Sequence, residues 1–310
     1  HTHLNQCTSQ TSFLNNLLAI NNISKNYKSV RAVNNISLNV KTGDIYGFLG
    51  PNGAGKTTTI RMIMGIIKPD TGNIKILDNN QNILEHNMVG YLPEDRGLYQ
   101  KQKLGEIIIY FGMLRWLKKN EARSKALSWL SRFDLVKQIN RRVEELSKGN
   151  QQKIQFILAL IHDPKLLILD EPFTGLDPVN QLLLKEIIIE MSRGGTTILF
   201  STHQMEQVER LCNNICLLNN GNILIEGELD EIKKEYQDNI IEVCFEGVFE
   251  KEKLKKYFSE INFSKSKIFG KLRTRSTDFI QWFSHQVEIQ SYQLKRPSLE
   301  QIFIDKIKPK

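Results

Sequence analysis

Residues 44–60 read DIYGFLGPNGAGKTTTI, a short apolar run that enters a glycine-rich turn and leaves through a lysine and three threonines. This order predicts a strand, a phosphate loop and the first turn of a helix. Gly50-Pro51-Asn52-Gly53-Ala54-Gly55-Lys56-Thr57 fits the pattern G-x-x-x-x-G-K-[ST], in which each fixed position has a physical reason. Glycines let backbone N–H groups turn inward with no Cβ in the way. The helix that follows aims its unpaired N–H groups and the positive end of its dipole at the same point, and Lys56 adds a mobile charge. Thr57 offers a hydroxyl to Mg²⁺ beside the β- and γ-phosphates.

Outward from this loop the pattern is that of an α/β chain. Upstream, Leu17 to Ser24 and Ala32 to Val40 read as strands, with Tyr27 in their connection and Thr42-Gly43-Asp44 as a turn. Downstream, Lys68 to Gly72 break the chain before a short strand NIKIL and the strand-like MVGYLPED. Helical spacing then takes over through LGEIIIYFGMLRWL and NEARSKALSWLSRFDLV, an all-helical insertion over about residues 98–150. The α/β rhythm resumes with helix QQKIQFILALI, strand KLLILD, helix PVNQLLLKEIIIEMSR, strand TTILF and helix QMEQVERLC. Asn219-Asn220-Gly221-Asn222 reads as a hairpin turn. From about Glu235 the chain becomes lysine-rich. Strands IIEVCF, KIFGKLRTR and VEIQSYQLKR alternate there with helical EKEKLKKYF and TDFIQWFS, and the chain ends in an amphipathic PSLEQIFIDKI with Ser298 as its N-cap.

A phosphate loop alone serves kinases, GTPases, helicases and transport ATPases, so its partners decide. KLLILDE is a buried strand ending in two carboxylates, which places Asp170 at the edge of a parallel sheet where ligands bind. Asp170 is expected to hold Mg²⁺, and Glu171 to take a proton from, or orient, the water that attacks the γ-phosphate. His203 ends the strand TTILFST and is placed to reach the same phosphate, although a lone histidine is more often structural.

The 310 residues have room for about two domains. A net charge of +8 suits anionic partners or simple solubility, and the scattered lysines fit a solvated basic face better than a nucleic-acid surface. Cys7, Cys212, Cys216 and Cys244 lack the spacing of a metal site or a disulfide scaffold, so reduced thiols in the cytoplasm are expected. No apolar run approaches the ~20 residues that span a bilayer. Residues 1–16 are polar, carry no secretory pattern and are expected to be a disordered lead-in or a cloning remnant.

Over Leu17 to Gly227 the order of pieces resembles the nucleotide-binding subunits of ABC transporters, with LSKGNQQK in the helical insertion as the most specific element. The resemblance implies a P-loop NTPase core with an antiparallel β-subdomain and an all-helical insertion over residues 17–230, plus a small C-terminal α/β domain over 235–310. It implies ATP and Mg²⁺ as ligands, and two copies meeting head to tail with ATP sandwiched between the phosphate loop of one and the signature segment of the other. Tyr27 would stack on adenine, Gly50 to Thr58 (Gly50, Pro51, Asn52, Gly53, Ala54, Gly55, Lys56, Thr57 and Thr58) would hold the triphosphate, and Ser147 and Gly149 would touch the γ-phosphate in the opposite copy. Asp177, in the GLD segment, would sit at the dimer interface, whereas Asn180 and Gln181 read as helix surface. A separate integral membrane permease would be the second partner, keeping the chain at the inner face of the cell membrane, and nucleic acid is not an expected partner.

Two departures stand out. The usual LSGGQ is Leu146-Ser147-Lys148-Gly149-Asn150, and the usual glutamine after YLP is Glu94, a carboxylate that attracts Mg²⁺ and repels the γ-phosphate. With the terminal PSLEQIFIDKI, they look like the sodium-extruding and ABC-2 type exporters. The rival readings are a soluble ATPase of the same family acting on ribosomes or nucleic acid, and an ATP switch that does not hydrolyse.

Overall fold

A computed structural model describes residues 16–28, 30–76, 85, 88–94, 97–236 and 239–307, so the expected lead-in (Asn16 apart) and Cys7 lie outside the described residues. Two long strands, β1 (Asn16–Tyr27) and β2 (Val30–Lys41), lead into β3 (Ile45–Leu49), whose five residues are all buried. A strand covered on both faces reads as an unbroken apolar run. The glycine-rich turn follows, and α1 (Lys56–Ile63) begins at the lysine. β4 (Thr71–Ile76) pairs antiparallel with β1 and completes a three-stranded sheet in the order β2-β1-β4.

After β5 (Val89–Leu92) comes the helical insertion, with α2 (Leu104–Leu114) packed on α3 (Lys119–Arg132) and two short 3₁₀ turns leading to α4 (Lys148–Leu160). The α/β alternation then runs through β6 (Leu166–Asp170), α5 (Pro178–Arg193), β7 (Thr197–Thr202), α6 (Met205–Leu211), β8 (Asn214–Asn219) and β9 (Asn222–Glu228). α5 spans the residues its sequence announces: Asp177 caps it, Pro178 opens it with a fixed φ, and Leu184, Ile187 and Ile188 make its buried stripe.

These strands form one six-stranded sheet in the order β5-β6-β7-β3-β8-β9, with β5 to β8 parallel to their neighbours. The register sets Asp170 beside Ser201, and Leu49 beside Thr202. The residues that follow β3, β6 and β7 therefore emerge at a single sheet edge, where ligands collect in parallel sheets. Between the two sheets and α1 lies a core that includes Ile20, Ile36, Phe48, Ile60, Leu199 and Leu218.

The chain divides after Gly227. The second unit contains α7 (Leu229–Glu235), β10 (Ile240–Glu246), α8 (Leu254–Tyr257), β11 (Phe258–Phe263), β12 (Lys267–Leu272), α9 (Ser276–Ser284), β13 (Glu288–Lys295) and α10 (Leu299–Ile307). Its four strands make an antiparallel sheet, β11-β12-β10-β13, with its own core of Val243, Phe245, Phe258, Phe279 and Phe283. Ser298 accepts from the Gln301 N–H at 3.2 Å and caps α10 as the sequence indicates.

Local departures from the sequence reading have local causes. Tyr27 is the last residue of β1, paired with Val30, because β1 and β2 join more tightly than their polar ends suggest. β4 begins at Thr71, inside the expected breaker, where Gly72 adopts a φ of +81°. The expected helix EKEKLKKYF is present as a 3₁₀ turn (Lys251–Lys253) running into α8 and ends at Tyr257, and the residues after it, FSEINF, form β11 and pair with β12. Cys212 and Cys216 are buried free thiols and Cys244 is free and half-buried.

Candidate active site

Between β3 and α1 the backbone turns through three glycines of positive φ: Gly50 at +152°, Gly53 at +80° and Gly55 at +104°. A Cβ on Gly50 would sit 2.5 Å from the Leu218 carbonyl oxygen, and one on Gly55 would sit 2.4 Å from that of Ala32. These two glycines are demanded by neighbouring backbone. Gly53 is different, since nothing lies within 4 Å of its absent side chain. Its conformation opens the loop toward the cleft in front of it, as a phosphate cradle requires.

That cleft, about 560 Å³, is lined by Asn52 to Thr58, Glu94, Asp170 and Glu171, together with Val30, Arg31, Ala32 and Asn220. Gly50 and Pro51 stand behind it and supply carbonyl oxygens to the Lys56 ammonium at 2.7 and 3.2 Å. Burial lowers the Lys56 pKa, an effect opposed by the charges of Glu171, Asp170 and Glu94. Burial also pushes the Asp170 carboxyl up to about 6, a rise that the neighbouring Ser201 hydroxyl opposes and that the charges of Glu94 and Glu171 reinforce. The Asp170 Oδ2 is buried with no hydrogen-bond partner among the described residues. The nearby Ser201 hydroxyl acts on the same carboxylate, and a buried anionic oxygen so thinly supplied with donors suits a cation. Thr57 lines the same cleft, so the donors fit Mg²⁺ held by one hydroxyl, one carboxylate and the phosphates themselves.

Glu171 is held from three sides. Its carboxylate accepts from the Thr202 hydroxyl at 2.9 Å and the His203 N–H at 2.8 Å, and its Oε1 lies 2.6 Å from His203 Nδ1. Its backbone N–H donates to Ser201 at 2.9 Å, with a φ of +48°. The His203 ring is exposed where Glu171 is buried, so the pair reaches from the sheet edge toward solvent.

Several expected site residues lie outside the cleft lining. Ser147 caps α4 by accepting from the Asn150 N–H at 3.3 Å, and no acidic side chain occupies that helix's first turn. Gly149 lies beside Gly175 and Leu176, so the start of α4 and the GLD segment share one surface. Asp177 spends its carboxylate on the Asn180 N–H and side chain, which holds its pKa down. Gln181 is not simple helix surface, since its side chain donates to the Leu176 carbonyl at 3.1 Å. Tyr27 ends β1 next to the cleft's Val30, half exposed. Val30, Arg31, Ala32, Asn220 and Thr202 were not singled out from sequence. The last carried a signal, the hydroxyl pair Ser201-Thr202 immediately before His203, whereas the others join the site only through long-range packing.

The family described as ABC transporter matches residues 33–174, and the family described as ATP-binding protein DrrA1-3-like, C-terminal domain, matches residues 227–307. The chain is 40% identical over 295 residues to an uncharacterized ABC transporter ATP-binding protein, YhaQ, of Bacillus subtilis (strain 168), a match covering 94% of this chain and 98% of that one. It is 38% identical over 212 residues to the Nod factor export ATP-binding protein I of Rhizobium etli, covering 66% of each. Among solved structures, a dimeric ATP-binding cassette in a post-hydrolysis state bound to ADP and Pi is similar with a TM-score of 0.61 at 25% identity, over 68% of this chain and 98% of that one.

Proposed function

This chain belongs to the ABC transporter ATP-binding proteins of the DrrA-like exporter type and is an ATPase, and we propose that two copies close head to tail around two MgATP to drive export through a separate membrane subunit. One observation carries the reading. The cleft gathers Lys56, Thr57, Asp170 and Glu171, while Ser147, Gly149 and Asp177 lie outside its lining. A helix N-terminus free of acidic residues attracts anions, and here it serves a phosphate only if a second copy brings that phosphate to it. Val179 and Leu182, the exposed apolar residues just beyond Asp177, give the same surface something to bury.

In this reading Lys56 and the loop N–H groups grip the phosphates, and Glu171, oriented by Thr202 and His203, positions the attacking water and takes its proton. Mg²⁺ at Thr57 and Asp170 would neutralise charge that develops on the phosphates. Tyr27 supplies an aromatic face for the base. No helix among the described residues is long and apolar enough to cross a membrane, which fits a separate membrane subunit. A groove of about 380 Å³ lined by Tyr99, Gln102, Glu106, Ile107 and Tyr110 on the helical insertion offers that partner a docking surface.

Light scattering of a Glu171→Gln variant with MgATP tests the proposal. A dimer that persists with ATP and disperses with ADP is expected, and a variant that stays monomeric with ATP overturns the paired arrangement. Lys56→Ala with full ATP affinity overturns the phosphate-loop assignment.

A further inference from the structure

We infer that the C-terminal end of α2 rests on an anionic bilayer surface, with the Trp116 ring set into the headgroup layer and Lys118 and Lys119 on the phosphates of acidic lipids. The inference begins from how four helices stop. α1, α2, α3 and α5 end in the same turn, in which an N–H just beyond the helix donates back five residues: Ile66 to Arg61 at 2.9 Å, Leu117 to Gly112 at 3.1 Å, Leu135 to Leu130 at 2.8 Å and Thr196 to Met191 at 3.0 Å. The residue before that donor is left-handed, and it is Gly65, Trp116, Asp134 and Gly195 in turn, with φ of +69°, +73°, +54° and +95°. Glycine adopts this conformation freely and aspartate tolerates it, whereas a bulky side chain there is an outlier that lowers stability. α2 therefore keeps a tryptophan where its own backbone favours glycine. The ring is 79% exposed. The other two tryptophans are half-buried, Trp282 stacked on Tyr257 with ring centroids 4.9 Å apart and Trp129 beneath Arg132 at 5.1 Å. Trp116 has neither kind of partner among the described residues.

The ring does not stand alone. Tyr110, Met113 and Leu114 are exposed on the same helix at three- and four-residue spacing, so they make one outward stripe that runs to the helix end. α2 already buries Leu104, Ile107 and Ile108 on its other face, and a helix apolar on both sides needs a second surface to cover. Residues 107–120 hold three cations, Arg115, Lys118 and Lys119, and no acid. Lys118 and Lys119 are exposed, and the next carboxylate along the chain, Glu121, lies 3.6 Å from Lys125. An amphipathic indole beside lysines at the border of an apolar patch settles at a membrane–water interface. A bilayer with acidic lipids supplies the matching pair, an apolar layer beneath a sheet of negative charge. The groove assigned above to a membrane subunit shares Tyr110, so a partner seated there brings the tip toward the same membrane. The lipid contact itself needs no such partner.

The test is flotation of the full chain with protein-free vesicles of phosphatidylcholine, alone or mixed with phosphatidylglycerol, at low salt. The native chain is expected to bind the mixed vesicles, and to bind those without acidic lipid about tenfold more weakly. Trp116→Gly removes the ring and relieves the backbone, so its unfolding temperature should stay close to the native value while binding falls about tenfold. Lys118→Gln with Lys119→Gln should lower binding to the mixed vesicles by about tenfold or more. Lys255→Gln with Lys256→Gln, which removes the same charge from exposed positions in the second unit, should change it by less than about twofold. A native chain that stays off the mixed vesicles, or a Trp116→Gly chain that binds them as the native does, overturns the inference. So does retention on native membranes without binding to protein-free vesicles, which would assign the tip to a protein of the membrane. None of these results touches the Glu171→Gln dimer, so the export reading stands or falls separately.

Discussion

His203 Nδ1 lies 2.6 Å from Glu171 Oε1, and the backbone N–H of the same histidine reaches the same oxygen at 2.8 Å. The carboxylate is thus fixed by a residue from the neighbouring strand end, not by its own strand. Glu171 also carries a left-handed φ of +48°, a conformation that costs a non-glycine residue about 1 kcal/mol. His203→Ala should lower turnover by on the order of 100-fold with little change in MgATP affinity, read by phosphate release and by nucleotide titration. Thr202→Val removes one of the carboxylate's donors and should give a smaller loss of the same kind. A His203→Ala variant that turns over normally would show that the pair only supports local structure.

Ser147 has two roles that one substitution separates. As N-cap of α4 its hydroxyl accepts from Asn150, so Ser147→Ala should cost about 1 kcal/mol of stability. The larger expected effect is on turnover and ATP-dependent pairing, with ATP binding to the single chain unchanged. Thermal unfolding, light scattering and phosphate release together distinguish the two effects.

The glycines of the phosphate loop should differ in how they fail. Gly55→Ala meets the Ala32 carbonyl oxygen at 2.4 Å and a φ of +104°, so a large loss of stability is expected, seen as a lowered unfolding temperature. Gly53→Ala meets no atom within 4 Å and should cost only about 1 kcal/mol, for its positive φ. Its damage should appear in nucleotide affinity, measured by titration with MgATP.

His162 makes stability depend on pH in a defined direction. It is buried, its Nε2 lies 3.3 Å from the Val89 carbonyl oxygen, and burial, aided by the Arg115 charge, lowers its pKa to about 4. The unfolded chain takes up a proton near pH 6.5 that the folded chain refuses until about 4, so this group's contribution falls as pH drops through that window and is constant above it. The full span amounts to about 3 kcal/mol. Urea denaturation from pH 4.5 to 7.5 should show a shallower pH dependence for His162→Gln than for the native chain.

What could be read from sequence follows the range of the interactions involved. The strand, loop and helix around Lys56 are set by neighbours a few residues away, and so are the Asp177-Pro178 start of α5 and the Ser298 cap of α10. The strand order β5-β6-β7-β3-β8-β9 is set by distant pairings that no local pattern encodes. The same reason hid part of the cleft. Gly55 and Gly221 both close on the Ala32 carbonyl oxygen, and Gly221 donates to Ala54 at 3.0 Å, so the hairpin that follows β8 becomes a wall of a site more than 150 residues upstream. By local pattern Asn220-Gly221 is only a turn. For β11 the reason is different, because its lysine-rich approach is helical through Tyr257 and only pairing with β12 makes the FSEINF that follows a strand.

The Gln152 side chain, 3% exposed, donates to the Pro172 carbonyl and so ties α4 to the residue directly after Glu171. In a paired enzyme α4 would answer to the partner's nucleotide and Glu171 to the chain's own, so this amide becomes a strut between two clocks. Cutting it with Gln152→Ala should leave each nucleotide gripped as before and let the two turnovers fall out of step.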